Sequence, residues 1–102
     1  MDITGKKLDE LIKTNKTVMV EFWGSWCPPC QRMTDVLDDL EKEYDGHVSI
    51  AKVNVDRNPM VSKKFNVIGL PSFVIFQEGE MIHREVGARS VKQLKNIIDD
   101  VI

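Results

Sequence analysis

The sequence has only two cysteines, three positions apart. A domain stapled by disulfides usually carries more of them, spread along the chain to close long loops. A bridge between Cys27 and Cys30 closes so small a loop that its effect on chain entropy is slight, and a structural staple is the weaker reading. A second cysteine pair that could complete a four-ligand zinc site is missing, so no metal is expected, and His47 and His83 read as solvated surface residues. No apolar run approaches the roughly 20 residues needed to cross a bilayer, and no basic, then apolar, leader opens the chain. An excess of positive charge is also lacking. The net charge is −2 with mixed signs, which gives no reason to expect nucleic acid or an anionic membrane as partner. Repeats, low-complexity tracts, linkers and nucleotide or flavin motifs are absent, so no cofactor is expected. What remains reads as a soluble, cytoplasmic chain, expected to form one domain over residues 1–102; at 42% hydrophobic it can bury a core.

What is present is concentrated in Glu21-Phe22-Trp23-Gly24-Ser25-Trp26-Cys27-Pro28-Pro29-Cys30, which holds both cysteines, both tryptophans and two of the four prolines. Two cysteines three apart at the start of a helix lie on one face, with β-carbons roughly 5 to 6 Å apart. That is close to the ~3.5 to 4.5 Å of a disulfide, so the pair can open and close with little movement. Cys27 would stand where the first helical amides lack partners and the helix dipole is positive, which favours its thiolate. Cys30 lies a turn further in and is expected to be less exposed. Such a pair divides its work: Cys27 attacks a disulfide and Cys30 resolves the mixed disulfide. A residue before proline is pushed out of the α region, so Cys27 should be extended, Pro29 should lie in the first turn, and Pro28 should not be fully helical. Since neither proline has an N–H, the backbone donor expected to reach the Cys27 sulfur is the amide of Cys30.

Elsewhere the apolar spacing predicts a helix over 4–14, a strand over 17–23 covered on both faces, and one helix over 29–44. A second strand over 48–55, a short helix over 56–66 with Pro59 in its first turn, and a hairpin of strands over 72–76 and 81–86 turning at Glu78-Gly79 follow. Ser90 and Gln93 form a capping box for a last helix whose apolar face is Val91, Leu94, Ile97, Ile98 and Val101. The order α-β-α-β-α-β-β-α predicts an α/β fold: a mixed four-stranded sheet with a parallel crossover, an antiparallel hairpin and helices on both faces.

Several separated segments in order carry a resemblance: Val20-Glu21-Phe22-Trp23, Trp26-Cys27-Pro28-Pro29-Cys30, Ala51-Lys52-Val53-Asn54-Val55-Asp56, Gly69-Leu70-Pro71-Ser72 and Val86-Gly87. With these the chain closely resembles the thioredoxin family over essentially its full length. The resemblance implies a thioredoxin-like fold and a thiol-disulfide oxidoreductase that reduces protein disulfides as a monomer, with a dithiol or flavoprotein reductase as electron donor. It makes Cys27 the attacking and Cys30 the resolving thiol. Pro71 matches a proline preceded by a cis peptide bond, which would lay the Leu70 backbone beside the disulfide. Trp26, Pro28, Gly69, Leu70, Pro71 and Gly87 are then the residues that substrates touch. Glu21 stands where the family usually has a buried aspartate, and Lys52 is the matching lysine. A carboxyl in an apolar strand also has its pKa raised by desolvation, which suits it to moving a proton near neutral pH.

Three departures accompany the resemblance. Pro28 replaces the usual glycine, so the redox poise is not inherited and an oxidase or isomerase stays open. Asp35 stands where a kinking proline is common, so a straighter helix is expected. The short N-terminus suggests that the family's first edge strand is missing. A binding module with an incidental dithiol is the reading from another class. On the residues alone, Pro71 can be mere strand punctuation, Glu21 can sit on an exposed edge, and Lys52 can be an ordinary outward residue.

Overall fold

Thr17–Trp23, β-branched and apolar nearly throughout, forms strand β1 in the computed structural model, which describes residues 1–102. It is an inner strand of a four-stranded sheet. Ser49–Asn54 (β2) pairs with it in parallel, Ser72–Gln77 (β3) lies antiparallel on its other side, and Glu80–Val86 (β4) completes the order β2-β1-β3-β4. The β3–β4 turn passes through Glu78 and Gly79, both at positive φ, as a tight hairpin requires.

Helix Gly5–Thr14 (α1) starts on the Thr4 side chain, which accepts from the Lys7 amide, and stops at Asn15. The last helix, Val91–Val101 (α5), starts on the expected capping box of Ser90 and Gln93. Between them lie Pro28–Gln31 (α2), Thr34–Glu43 (α3) and Pro59–Lys64 (α4). No helix is long and apolar enough to cross a membrane.

Strand alternation divides the core in two. Val18, Val20 and Phe22 point to one face with Ala51, Val53, Val74 and Phe76, beneath Leu8 and Ile12 of α1 and Val61 of α4. Met19 points to the other with Ile50, Phe73 and Ile75, beneath Leu37 and Leu40 of α3 and Leu94 and Ile98 of α5. Glu21 shares the Met19 face by its odd position.

The structure corrects three expectations. The single helix over 29–44 is two: Met33 donates to the Cys30 carbonyl three residues back, a tightening that ends α2 without any proline at position 35. Pro28 is helical, because the first helical position needs a suitable φ and no N–H, and its carbonyl accepts from the Arg32 amide. The N-terminal edge is shortened rather than missing. Asp2 bridges Lys52 in parallel, with Lys52 N–H donating to Met1 O at 2.7 Å and Ile3 N–H to Lys52 O at 2.9 Å.

Candidate active site

The end of β1 and the start of α2 set the dithiol. Cys27 is the N-cap of α2 with an extended backbone, as its place before Pro28 demands, and it is joined to Cys30 as a disulfide with a Cα–Cα distance of 5.3 Å. The Cys30 amide donates to Cys27 Sγ at 3.3 Å. Pro29, at the second helical position, has no N–H to offer, so this is the backbone donor available to the sulfur. Both cysteines are buried, Cys27 at 4% exposure and Cys30 at 2%, so the expected contrast between them is small in the disulfide form. Trp26, next to Cys27, is 69% exposed and marks the surface of the site.

A polar lattice that the sequence reading did not single out fixes the loop before Cys27. The two oxygens of Asp56 accept from the Ser25 amide and from Trp26 Nε1–H, each at 3.1 Å. Asn54 donates to Ser25 Oγ and accepts from the Asp56 amide, while Gln31 donates to Ser25 O at 2.8 Å. An Asn and an Asp closing a strand ahead of a turn were the available signal, since such side chains bond nearby backbone.

Pro71 follows a cis peptide bond, as the resemblance implied. Pro71 itself is buried, and its carbonyl accepts from the Gly87 amide at 2.8 Å, which ties the half-buried Gly87 to the half-buried Gly69-Leu70 turn. Gly69 lets the turn lie close to β4, since a Cβ there would stand 2.8 Å from Val86 Cγ1 and would force that side chain to shift. Gly24 joins this turn to the dithiol loop: Leu70 Cδ1 and the Trp26 ring both lie within 3.1 to 3.3 Å of where its Cβ would be.

Glu21 is fully buried on an inner strand rather than exposed at an edge, and neither carboxyl oxygen has a hydrogen-bond partner. Burial raises its pKa from an ordinary 4.5 to about 8, against the pull of the Lys52 ammonium and with help from the Asp2 charge. Lys52 is in register with Glu21 on β2, so the two share a sheet face. It does not pair with the carboxyl: its Nζ lies 5.2 Å from the centre of the Trp23 ring. His83, expected on the solvated surface, is half-buried and 2.9 Å from Glu85. Glu85 is held below the usual carboxylate range by hydrogen bonds from Arg89 and then His83.

The five principal clefts of the surface, about 270 to 480 Å³, are lined without either cysteine.

The arrangement can break and remake one sulfur–sulfur bond at a helix start, beside a sheet that carries a buried carboxyl at Glu21. Comparisons with known proteins agree. The thioredoxin family model matches residues 1–100. Thioredoxin of Staphylococcus haemolyticus is 35% identical over 97 residues, 95% of this chain and 92% of that one. A bifunctional thioredoxin reductase/thioredoxin of Mycobacterium leprae is 34% identical over 93 residues, 91% of this chain but 20% of that longer protein. Among solved structures, Plasmodium falciparum thioredoxin superposes with a TM-score of 0.91 at 28% identity, covering 99% of this chain and 98% of that one. With this sheet order, a Cys-X-X-Cys pair at a helix start and a family match over nearly every residue, the chain belongs to the thioredoxin family of thiol-disulfide oxidoreductases.

Proposed function

We propose that the chain reduces disulfides of protein substrates with Cys27-Pro28-Pro29-Cys30 as its active-site motif. The observation that carries this reading is the Cys30 N–H aimed at Cys27 Sγ at the first turn of α2, a donor that favours a thiolate on Cys27 once the disulfide is opened. That thiolate attacks one sulfur of a substrate disulfide. A mixed disulfide forms, the substrate bond breaks, and the departing sulfur takes a proton. The Cys30 thiol then gives its proton to Glu21 and attacks Cys27 Sγ, releasing the second substrate sulfur. Two electrons pass to the substrate, and the Cys27–Cys30 disulfide remains. A reductase supplies the return pair of electrons, and Glu21 returns the proton to Cys30 as the disulfide opens. A group titrating near 8 can do both around neutral pH. The fusion of a reductase to a relative in one chain supports such a donor.

Trp26, Gly69, Leu70 and Gly87 form the rim, with the buried Pro71 setting the Leu70 backbone, and such a rim suits an extended segment of another protein. Lys52 acts on Glu21 by charge. Replacing Cys27 by Ser should abolish turnover of a protein disulfide. Cys30→Ser should also abolish it and accumulate a mixed disulfide at Cys27, detectable by mass. Turnover in both variants would sink the assignment. Equilibration with a glutathione buffer fixes the net direction: a reductase keeps its own disulfide where glutathione is largely reduced.

A further inference from the structure

The Asp2–Lys52 bridge and the Lys52–Glu21 register place three residues in one row across the sheet edge: Asp2, Lys52, Glu21. Neighbouring strands are about 4.8 Å apart, so the lysine stands between two carboxyl groups of opposite circumstance, one buried and one at the surface. The row is braced by Trp23, two residues beyond Glu21 on the same strand face. Its Nε1–H donates to Asp2 Oδ1 at 3.2 Å, and its ring carries the Lys52 ammonium. Lys52 takes part in no ion pair, although carboxyl groups flank it on both sides. Hydrogen bonds on both sides of Lys52, from its N–H to Met1 O and from Ile3 N–H to its O, fix the bridge that sets this spacing.

We propose that Asp2 is a positioning residue for the proton held by Glu21, acting through the Trp23 indole and the Lys52 ammonium. This rests on the reading of Glu21 as proton carrier. The Asp2 carboxylate fixes the indole on which Lys52 lies, draws the ammonium toward the surface, and adds a like charge that disfavours ionised Glu21. Desolvation alone keeps a carboxyl protonated, while an ammonium free to approach would ionise it. The other elements on this face bring apolar side chains: Phe73 from β3, Met33 and Leu37 beside and within α3, Leu94 and Ile98 from α5. The titratable side chain of this cluster is Tyr44, whose hydroxyl donates to Asp99 at 2.7 Å. Lys52 and Asp2 are the charges that act on the buried carboxyl.

The test is a carbon-13 carboxyl titration of Glu21 in the intact oxidised protein, with Asp2→Asn and Lys52→Met, singly and together. Asparagine still accepts from the Trp23 indole but carries no charge. Asp2→Asn should lower the Glu21 midpoint by about half to one pH unit, and Lys52→Met should raise it. In the Lys52→Met background the Asp2→Asn shift should shrink, because the ammonium through which Asp2 acts is gone. A Glu21 midpoint unmoved by Asp2→Asn, or an undiminished shift in the double variant, overturns the proposal. The pH profile of disulfide turnover tests the underlying reading separately. If the Glu21 midpoint moves and the profile does not follow, Glu21 is not the proton carrier, although Asp2 still governs its titration.

Discussion

The two faces of β1 differ by one residue in phase and by everything in chemistry. Val18, Val20 and Phe22 meet α1 and α4 with an entirely apolar surface, whereas the alternate positions bring Thr17, Met19, Glu21 and Trp23 to the face that α3 and α5 cover. The first face holds the molecule together. The second accepts an unpartnered carboxyl in its interior, at a stability cost, and places it on the same side of the sheet as Met33, three residues after Cys30.

Removing the charge from the second face should produce the largest change. Below pH 4.5 Glu21 is protonated in the folded and unfolded chain alike. Between 4.5 and about 8 only the folded chain keeps the proton, so stability falls as pH rises, and above 8 the whole penalty is present. That interval corresponds to on the order of 5 kcal/mol, an upper figure because a buried site relaxes on ionising. Glu21→Gln should therefore raise urea resistance strongly at pH 9 and little at pH 4, while slowing resolution of the mixed disulfide. A matched variant on the apolar face, Phe22→Ala, should lose about 3 to 5 kcal/mol at every pH. A pH-dependent loss there would blur the distinction between the faces.

Smaller changes probe how the second face reaches the surface. Asp56→Ala removes the acceptor of two hydrogen bonds on the Trp26 loop. It should cost about 1 to 2 kcal/mol and raise KM for a protein disulfide several-fold, with kcat less affected. Pro29→Ala adds an N–H at the second helical position, where an N-cap side chain can accept it. By stabilising the reduced form it should make the potential less negative by about 30 mV, matching roughly 1.4 kcal/mol for one charge-assisted bond. An unchanged potential would show that the Cys30 amide alone sets the sulfur. Ser90→Ala, far from the dithiol, should cost about 1 kcal/mol in a melt and leave turnover unchanged.

The apolar face was legible in the sequence because alternation and helical spacing are local. Val18 to Phe22, the α5 stripe and the Ser90–Gln93 cap could be read from neighbours along the chain. So could Cys27 and Cys30, whose chemistry depends on a spacing of three and a helix start. What the sequence could not yield depends on register between distant segments. Whether Lys52 faces Glu21 is decided by the β1–β2 pairing, and the Asp56 contacts with Ser25 and Trp26 join residues 30 or so apart. The break between α2 and α3 was missed for a different reason: Met33 bonds to the carbonyl of Cys30 in place of that of Pro29, and apolar periodicity runs through such a change unaltered.

Strand β1 has a bonded neighbour along each edge, β2 on one and β3 on the other, whereas β4 has one edge open. Its amides can meet deuterium only when the sheet itself comes apart, so β1 should be among the last segments to exchange and β4 among the earlier strands. The dithiol thus hangs from one of the two inner strands, and repeated opening and closing of one bond can proceed at its tip while the strand that carries it stays shut to solvent.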